Sequence, residues 1–131
     1  MSTIISLEIN QKKIEIPKTN TRPKDAIVIN DLMTKDDESW WNYNRYFICD
    51  EDCEISAYAT PANNEVFKLF LNSNEKVDGV TYWREVQASY SNGLATDCAV
   101  SGRFKKGVKV YVLYKGATPQ NFRIRKTPLC Y

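Results

Sequence analysis

The chain contains no histidine, and that absence removes a large block of chemistry. Without an imidazole there is no Ser-His-Asp or Cys-His relay and no zinc site of the usual mixed kind. Glycine-rich phosphate loops, a Walker sequence and a nucleophile elbow are missing as well. No apolar run approaches the about eighteen residues of a membrane-spanning helix, and the start Met1-Ser2-Thr3-Ile4-Ile5 lacks the basic head and apolar middle of an export signal. The expected location is the cytoplasm, or the outside of the cell by a leaderless route or after removal of a leader. No window of helical length carries an apolar stripe at three- and four-residue spacing, so helix should be scarce.

Carboxylate side chains stop at Asp97. Residues 1–97 hold ten basic and sixteen acidic side chains, net −6, and residues 98–131 hold eight basic and none acidic, net +8. The formal charge of +2 thus conceals a dipolar chain, which bears on partners and assembly rather than on fold. A nucleic-acid partner is disfavoured, because the isoelectric point is near 8.3 and the acidic first part would repel a long polyanion. Pairing of the two charged regions, within the fold or between copies in a homo-oligomer, is the simpler expectation.

Cysteine is sparse but even in number: Cys49, Cys53, Cys98 and Cys130. If strands on either side of Asp50-Glu51-Asp52 form a hairpin, Cys49 and Cys53 meet across the turn. That leaves a disulfide and a set of reduced buried thiols as equal alternatives.

What is present is alternation. At 131 residues the chain fits one domain spanning 1–131, with enough burial for one continuous core. An N-terminal hairpin is expected from Ile5, Leu7 and Ile9 followed by Ile14 and Ile16, with a loop from Lys18 to Asp25. Ala26–Ile29 reads as a short strand buried on both faces. Asp31–Ser39 reads as a loop or single helical turn. Strands follow at Trp40–Ile48, Cys53–Thr60, Glu65–Leu71, Val80–Tyr90, Leu94–Arg103, Val108–Lys115 and Asn121–Lys126, separated by turn signals such as Asn72-Ser73-Asn74 and Lys105-Lys106-Gly107. About nine short strands with little helix predict an all-β, antiparallel β-sandwich or jelly-roll-like fold.

Period two assigns Val80, Tyr82, Val86, Ala88 and Tyr90 to the core, together with Leu94, Thr96, Cys98 and Val100, and with Val108, Val110, Val112 and Tyr114. It sends Thr81, Trp83, Glu85, Gln87, Ser89, Lys109, Tyr111, Leu113 and Lys115 to the opposite face. The segment Ser101-Gly102-Arg103-Phe104-Lys105-Lys106-Gly107-Val108-Lys109-Val110-Tyr111-Val112 resembles a late hairpin of bacterial pre-peptidase C-terminal modules and of complement-type and tumour-necrosis-factor-like jelly rolls. The resemblance implies a sandwich and carries over no functional residue.

Aromatic rings beside cations on one sheet face suit a ligand platform, although cover by another part of the chain is the competing reading. The leading expectation is a non-enzymatic recognition module for a cell-surface or polymeric ligand, a glycan or anionic glycoconjugate. Its candidate residues are Trp83, Tyr111, Lys109, Arg123 and Arg125 on the sheet face, and Trp40, Trp41 and Arg45 at the loop edge. The alternative is a protein-binding inhibitor, immunity factor or toxin-like subunit that docks or self-assembles through its oppositely charged poles. Asp50, Asp52 and Glu54 are closely spaced oxygen donors and form a candidate calcium site, with plain solvent exposure as the competing reading; no cofactor is otherwise expected. Carboxylate-pair hydrolysis is the least favoured class, since nothing marks a pair among Asp36, Asp37, Glu38, Asp50, Asp52 and Glu54.

Overall fold

A computed structural model describes residues 25–36, 40–62, 66–92 and 96–129. The expected N-terminal hairpin and Cys130 lie outside the described residues. Among the described residues nine strands form two antiparallel sheets: β1 (Ile27–Val28), β2 (Thr34–Lys35), β3 (Tyr43–Ile48), β4 (Cys53–Thr60), β5 (Val66–Val77), β6 (Val80–Asn92), β7 (Cys98–Phe104), β8 (Lys109–Lys115) and β9 (Asn121–Pro128). One sheet runs β1-β9-β4-β7 and the other β2-β3-β8-β5-β6. The all-β antiparallel sandwich is therefore observed.

The core is the product of alternation on facing strands. Cys53, Ile55, Ala57 and Ala59 of β4, Cys98, Val100 and Phe104 of β7, and Ile124 of β9 meet Phe67, Leu69 and Leu71 of β5 and Val110, Val112 and Tyr114 of β8. Rings close one part of it: Tyr43 stacks on Tyr114 at 5.2 Å and Phe122 packs edge-on against both. Desolvation in this cluster raises the Tyr43 hydroxyl to about 12.

Several expectations are corrected. Ile27 and Val28 are 47% and 54% exposed, because β1 is a sheet edge rather than an interior strand; only Ile29 of that run is buried. Residues Asn72-Ser73-Asn74 do not turn. β5 continues to Val77, and the chain reverses at Asp78 and Gly79, whose φ values of 52° and 80° belong to a tight hairpin turn of the primed kind. β3–β4 and β7–β8 are links between the two sheets, not hairpins, so Asp50–Asp52 and Lys105–Gly107 carry the chain across the sandwich.

The largest correction concerns β6. Its pairing with β5 shifts register between Leu71 and Asn72: Gln87 faces Leu71 while Glu85 faces Asn72, which leaves Val86 as the extra residue of a bulge. A bulge inverts alternation beyond it. Ala88 and Tyr90 therefore join Trp83 and Glu85 on the outer face, opposite Phe70, Lys68, Asn74 and Asn72. Of the five β6 residues assigned to the core, Val86 alone packs against it. Gln87 and Ser89 turn the other way and complete the free edge of β7: the Ser101 amide donates to Gln87 Oε1 at 2.7 Å and the Ala99 amide to Ser89 Oγ at 3.3 Å. An edge satisfied by side chains is a poor template for another strand.

Candidate functional site

The outer face of the five-stranded sheet is read row by row from its registers. Tyr46, Tyr111, Asn72 and Glu85 lie across β3, β8, β5 and β6; the neighbouring rows are Asn44, Leu113, Phe70 and Ala88, then Ile48, Lys109, Asn74 and Trp83. Two ring clusters result. Trp83 packs 5.1 Å from Tyr111, which lies 5.5 Å from Tyr46. At the other end Trp41 packs on Trp40 at 4.6 Å and on Phe70 at 5.1 Å, and Phe70 reaches Tyr90 at 5.8 Å.

Exposure divides these rings by role. Trp83, Tyr90 and Trp40 are 62%, 56% and 56% exposed, whereas Tyr111 is 4% exposed beneath its neighbours. Tyr111 is thus a floor residue, and its removal costs stability as well as any contact. Lys109 lies over both tyrosines, 4.1 Å from the Tyr46 ring and 5.4 Å from Tyr111. A hydrogen bond with Tyr111 is the main reason its ammonium is held charged above the ordinary lysine value. At the far end Lys115 lies 4.6 Å over the Trp40 ring and donates to the Trp40 carbonyl. Between the clusters, Asn44 Oδ1 and Asn72 Oδ1 are buried with no hydrogen-bond donor among the described residues. An unpaired buried carbonyl costs about 1–3 kcal/mol.

The structure therefore gathers Trp83, Tyr111, Lys109, Trp40 and Trp41 on one face, joined by Tyr46, Phe70, Tyr90, Asn72 and Asn74. It does not add the three arginines. Arg45 pairs in register with Val112 on the reverse side of β3, its guanidinium 5.3 Å from the Tyr43 ring. It lines a small cleft of about 240 Å³ with Lys35, Asp36, Trp41 and Asn42. Arg123 and Arg125 stand on the outer face of the other sheet, beside Tyr58 and Ser56 of β4. One surface expected from sequence is two surfaces on opposite sides of the sandwich.

Asp50, Asp52 and Glu54 are not brought together as a donor set. Asp50 Oδ1 and Glu51 Oε2 each lie 2.9 Å from Lys126 Nζ, and Asp52 Oδ1 accepts the Lys106 amide at 2.9 Å. Glu54 sits on β4 in register with Arg103 and Thr127. Among the described residues no three His, Cys, Asp or Glu side chains converge. Early carboxylates and late cations thus pair within the fold at this end.

Lys126 is 5% exposed. Burial pulls its proton affinity down, yet the hydrogen bonds it donates to Asp50 and Glu51 outweigh that and leave it above 10.5. The bond to Lys126 is also the largest reason that Asp50 sits below 3.8, partly opposed by desolvation. The signs give a window. Asp50, lowered in the fold, stabilises above its unfolded value of 3.8 and loses this as pH falls; Lys126, raised, stabilises below 10.5 and loses this as pH rises. In Lys126→Met, which fits the buried site without charge, melting temperature against pH should fall less at both the acid and the alkaline limbs than in the parent. Parallel curves for the two proteins would show that the triad contributes nothing.

Cys49, Cys53 and Cys98 are free and buried. Desolvation raises all three thiols, Cys49 to about 12 with the neighbouring Cys53 adding to the shift. These are packing residues rather than nucleophiles.

The residues of this outer face not foreseen are Tyr90, Phe70, Asn72 and Asn74. The Asp78-Gly79 pair is the signal that places Asn72 and Asn74 within a strand; the bulge that turns Tyr90 outward leaves no mark in the sequence pattern. No protein family, curated protein or solved structure matches the chain.

Proposed function

We propose that the protein is a non-catalytic β-sandwich recognition module that holds an extended glycan against the outer face of its five-stranded sheet. Trp83, Tyr90 and Trp40 would stack on the apolar faces of sugar rings, while Asn74, Glu85 and Lys109 meet hydroxyls. The observation that carries this reading is the shared face of the exposed rings: the Val86 bulge puts Trp83 and Tyr90 on one side of the same strand, beside amide side chains. Their separation along β6 is about 20 Å at strand rise, a span for an oligomer rather than a single sugar. The buried Asn44 and Asn72 carbonyls, which no donor among the described residues reaches, stand on the same sheet face in the rows of Leu113 and Tyr111.

A glycan array identifies the ligand, and titration of the best hit tests the site. Trp83→Ala and Tyr90→Ala should each weaken binding roughly tenfold, the scale of one aromatic contact. Both residues are more than half exposed, so stability should change by less than about 0.5 kcal/mol. Undiminished binding by the double variant, or an array with no hit for the parent, rejects the proposal.

A further inference from the structure

The reverse side of the molecule offers a separate site of different chemistry. Across β7, β4 and β9 the outward rows are Ser101, Ser56 and Arg125, then Ala99, Tyr58 and Arg123. Short side chains on β7 and at Ser56 leave a trough of about 960 Å³, walled along one side by Arg123 and Arg125 and on the other by Gln87 from the facing sheet. Residues two apart on a strand share a face about 7 Å apart, so the two guanidinium groups address one trough side by side. Tyr58 stands at its end with its hydroxyl donating to Asp97 Oδ2, and Asn121 donates to Thr60 beyond it at 3.4 Å.

Three of the other six late cations are engaged elsewhere. Lys126 pairs with Asp50 and Glu51, Lys109 lies on Tyr46 and Tyr111, and Lys115 lies on Trp40. Among the described residues Arg123 and Arg125 have no carboxylate within 4 Å, and both are exposed. Two uncompensated guanidinium forks over a floor of hydroxyls repel a cation and give an apolar ligand little to cover. They match the planar, multi-acceptor edge of an oxyanion, which each fork can bind through two N–H donors.

We propose that this trough is an oxyanion site that takes the sulfate-ester or carboxylate groups of an anionic glycan. A glycan is favoured over a nucleic acid on the lining itself. Single strands are held by successive rings on which bases stack, whereas Tyr58 is the one ring lining the trough and it is tied to a carboxylate that a phosphate backbone would meet. Ser56 and Ser101 suit sugar hydroxyls instead. The site is independent of the aromatic face and stands whether or not that face binds sugar.

The test is an amide-resolved NMR titration of the full chain with a heparin-type tetrasaccharide, its desulfated counterpart, which keeps the uronates, and a thymidylate oligonucleotide of matched charge. Shifts should concentrate at Ser56, Tyr58, Ser101, Arg123 and Arg125. The pair Arg123→Ala and Arg125→Ala should weaken binding at least about tenfold, while Lys105→Ala with Lys106→Ala, in the link between β7 and β8, should leave it within about twofold. Binding retained after desulfation identifies carboxylate as the recognised group, and binding lost identifies sulfate. Shifts centred on Lys105–Lys109, equal losses in both basic pairs, tighter binding of thymidylate, or no shifts with either tetrasaccharide at millimolar concentration would each overturn the proposal.

Discussion

Phe67→Ala should lower stability by about 3–5 kcal/mol, the range for deleting a fully enclosed phenyl ring. Phe67 is 0% exposed on β5, and its ring packs 5.1 Å from Tyr114, itself stacked on Tyr43 and edge-on to Phe122. The substitution removes the apolar transfer term and leaves a void whose walls are rings held by their own neighbours, so the site collapses poorly. Against a total of about 5–15 kcal/mol for an ordinary domain, the loss is a large fraction, and the melting temperature should drop by roughly 10–20 °C. Urea unfolding of the variant beside Trp83→Ala checks it. The two residues are both large aromatics on one hairpin, yet only one is enclosed. A loss below about 1 kcal/mol at Phe67 would mean that the two sheets do not close over this position.

That contrast also shows where the sequence is legible. On β8 the reading is right residue for residue: Val110, Val112 and Tyr114 point into the core, and Lys109, Tyr111, Leu113 and Lys115 point away. β8 has sheet neighbours on both sides and no irregularity, so period two maps directly onto inside and outside. On β6 the same rule fails at Val86, because one inserted residue exchanges the faces of everything beyond it. A bulge is a property of two paired strands, and alternation within one of them carries no trace of the partner's count. The same limit explains the arginines. Alternation correctly places Arg123 and Arg125 outward, but which sheet β9 joins is decided by its pairing with β4 and β1, a long-range choice absent from local pattern. The run Ala26–Ile29 fails for a third reason. Its composition is that of an interior strand, yet only two of its residues pair, on a sheet edge. There Ile29 and Asn30 do the anchoring: the Ile29 amide donates to the Ile124 carbonyl at 2.8 Å, and the Asn30 side chain bonds the backbone of Phe122 and Ile124.

Gly116→Ala should be the second costly substitution, at about 2–4 kcal/mol. Two independent effects add there. The backbone has φ of 136°, a region that side chains disfavour, and a Cβ at this position would lie 2.8 Å from the Val66 carbonyl oxygen and 3.0 Å from Phe67 Cδ1. The first of those atoms is backbone within β5 and cannot swing aside; the second belongs to the enclosed ring just described. Gly79 provides the control, since its φ of 80° carries conformational strain but nothing lies within 4 Å of its would-be Cβ. Gly79→Ala should cost only about 1 kcal/mol. The excess at Gly116 measures the close approach of the strands. It also couples to the aromatic face, because the Gly116 amide donates to Asn42 Oδ1 at 2.8 Å, and the Asn42 amide donates to the Tyr114 carbonyl at 3.1 Å. These bonds set the corner from which Trp40 and Trp41 reach Lys115 and Phe70. A backbone shift at Gly116 should therefore change the environment of those two tryptophans, while Gly79→Ala leaves it alone, so near-ultraviolet circular dichroism separates the variants even where thermal melts overlap. Equal stability and equal spectra for the two alanine variants would show that β5 and the end of β8 are not in backbone contact.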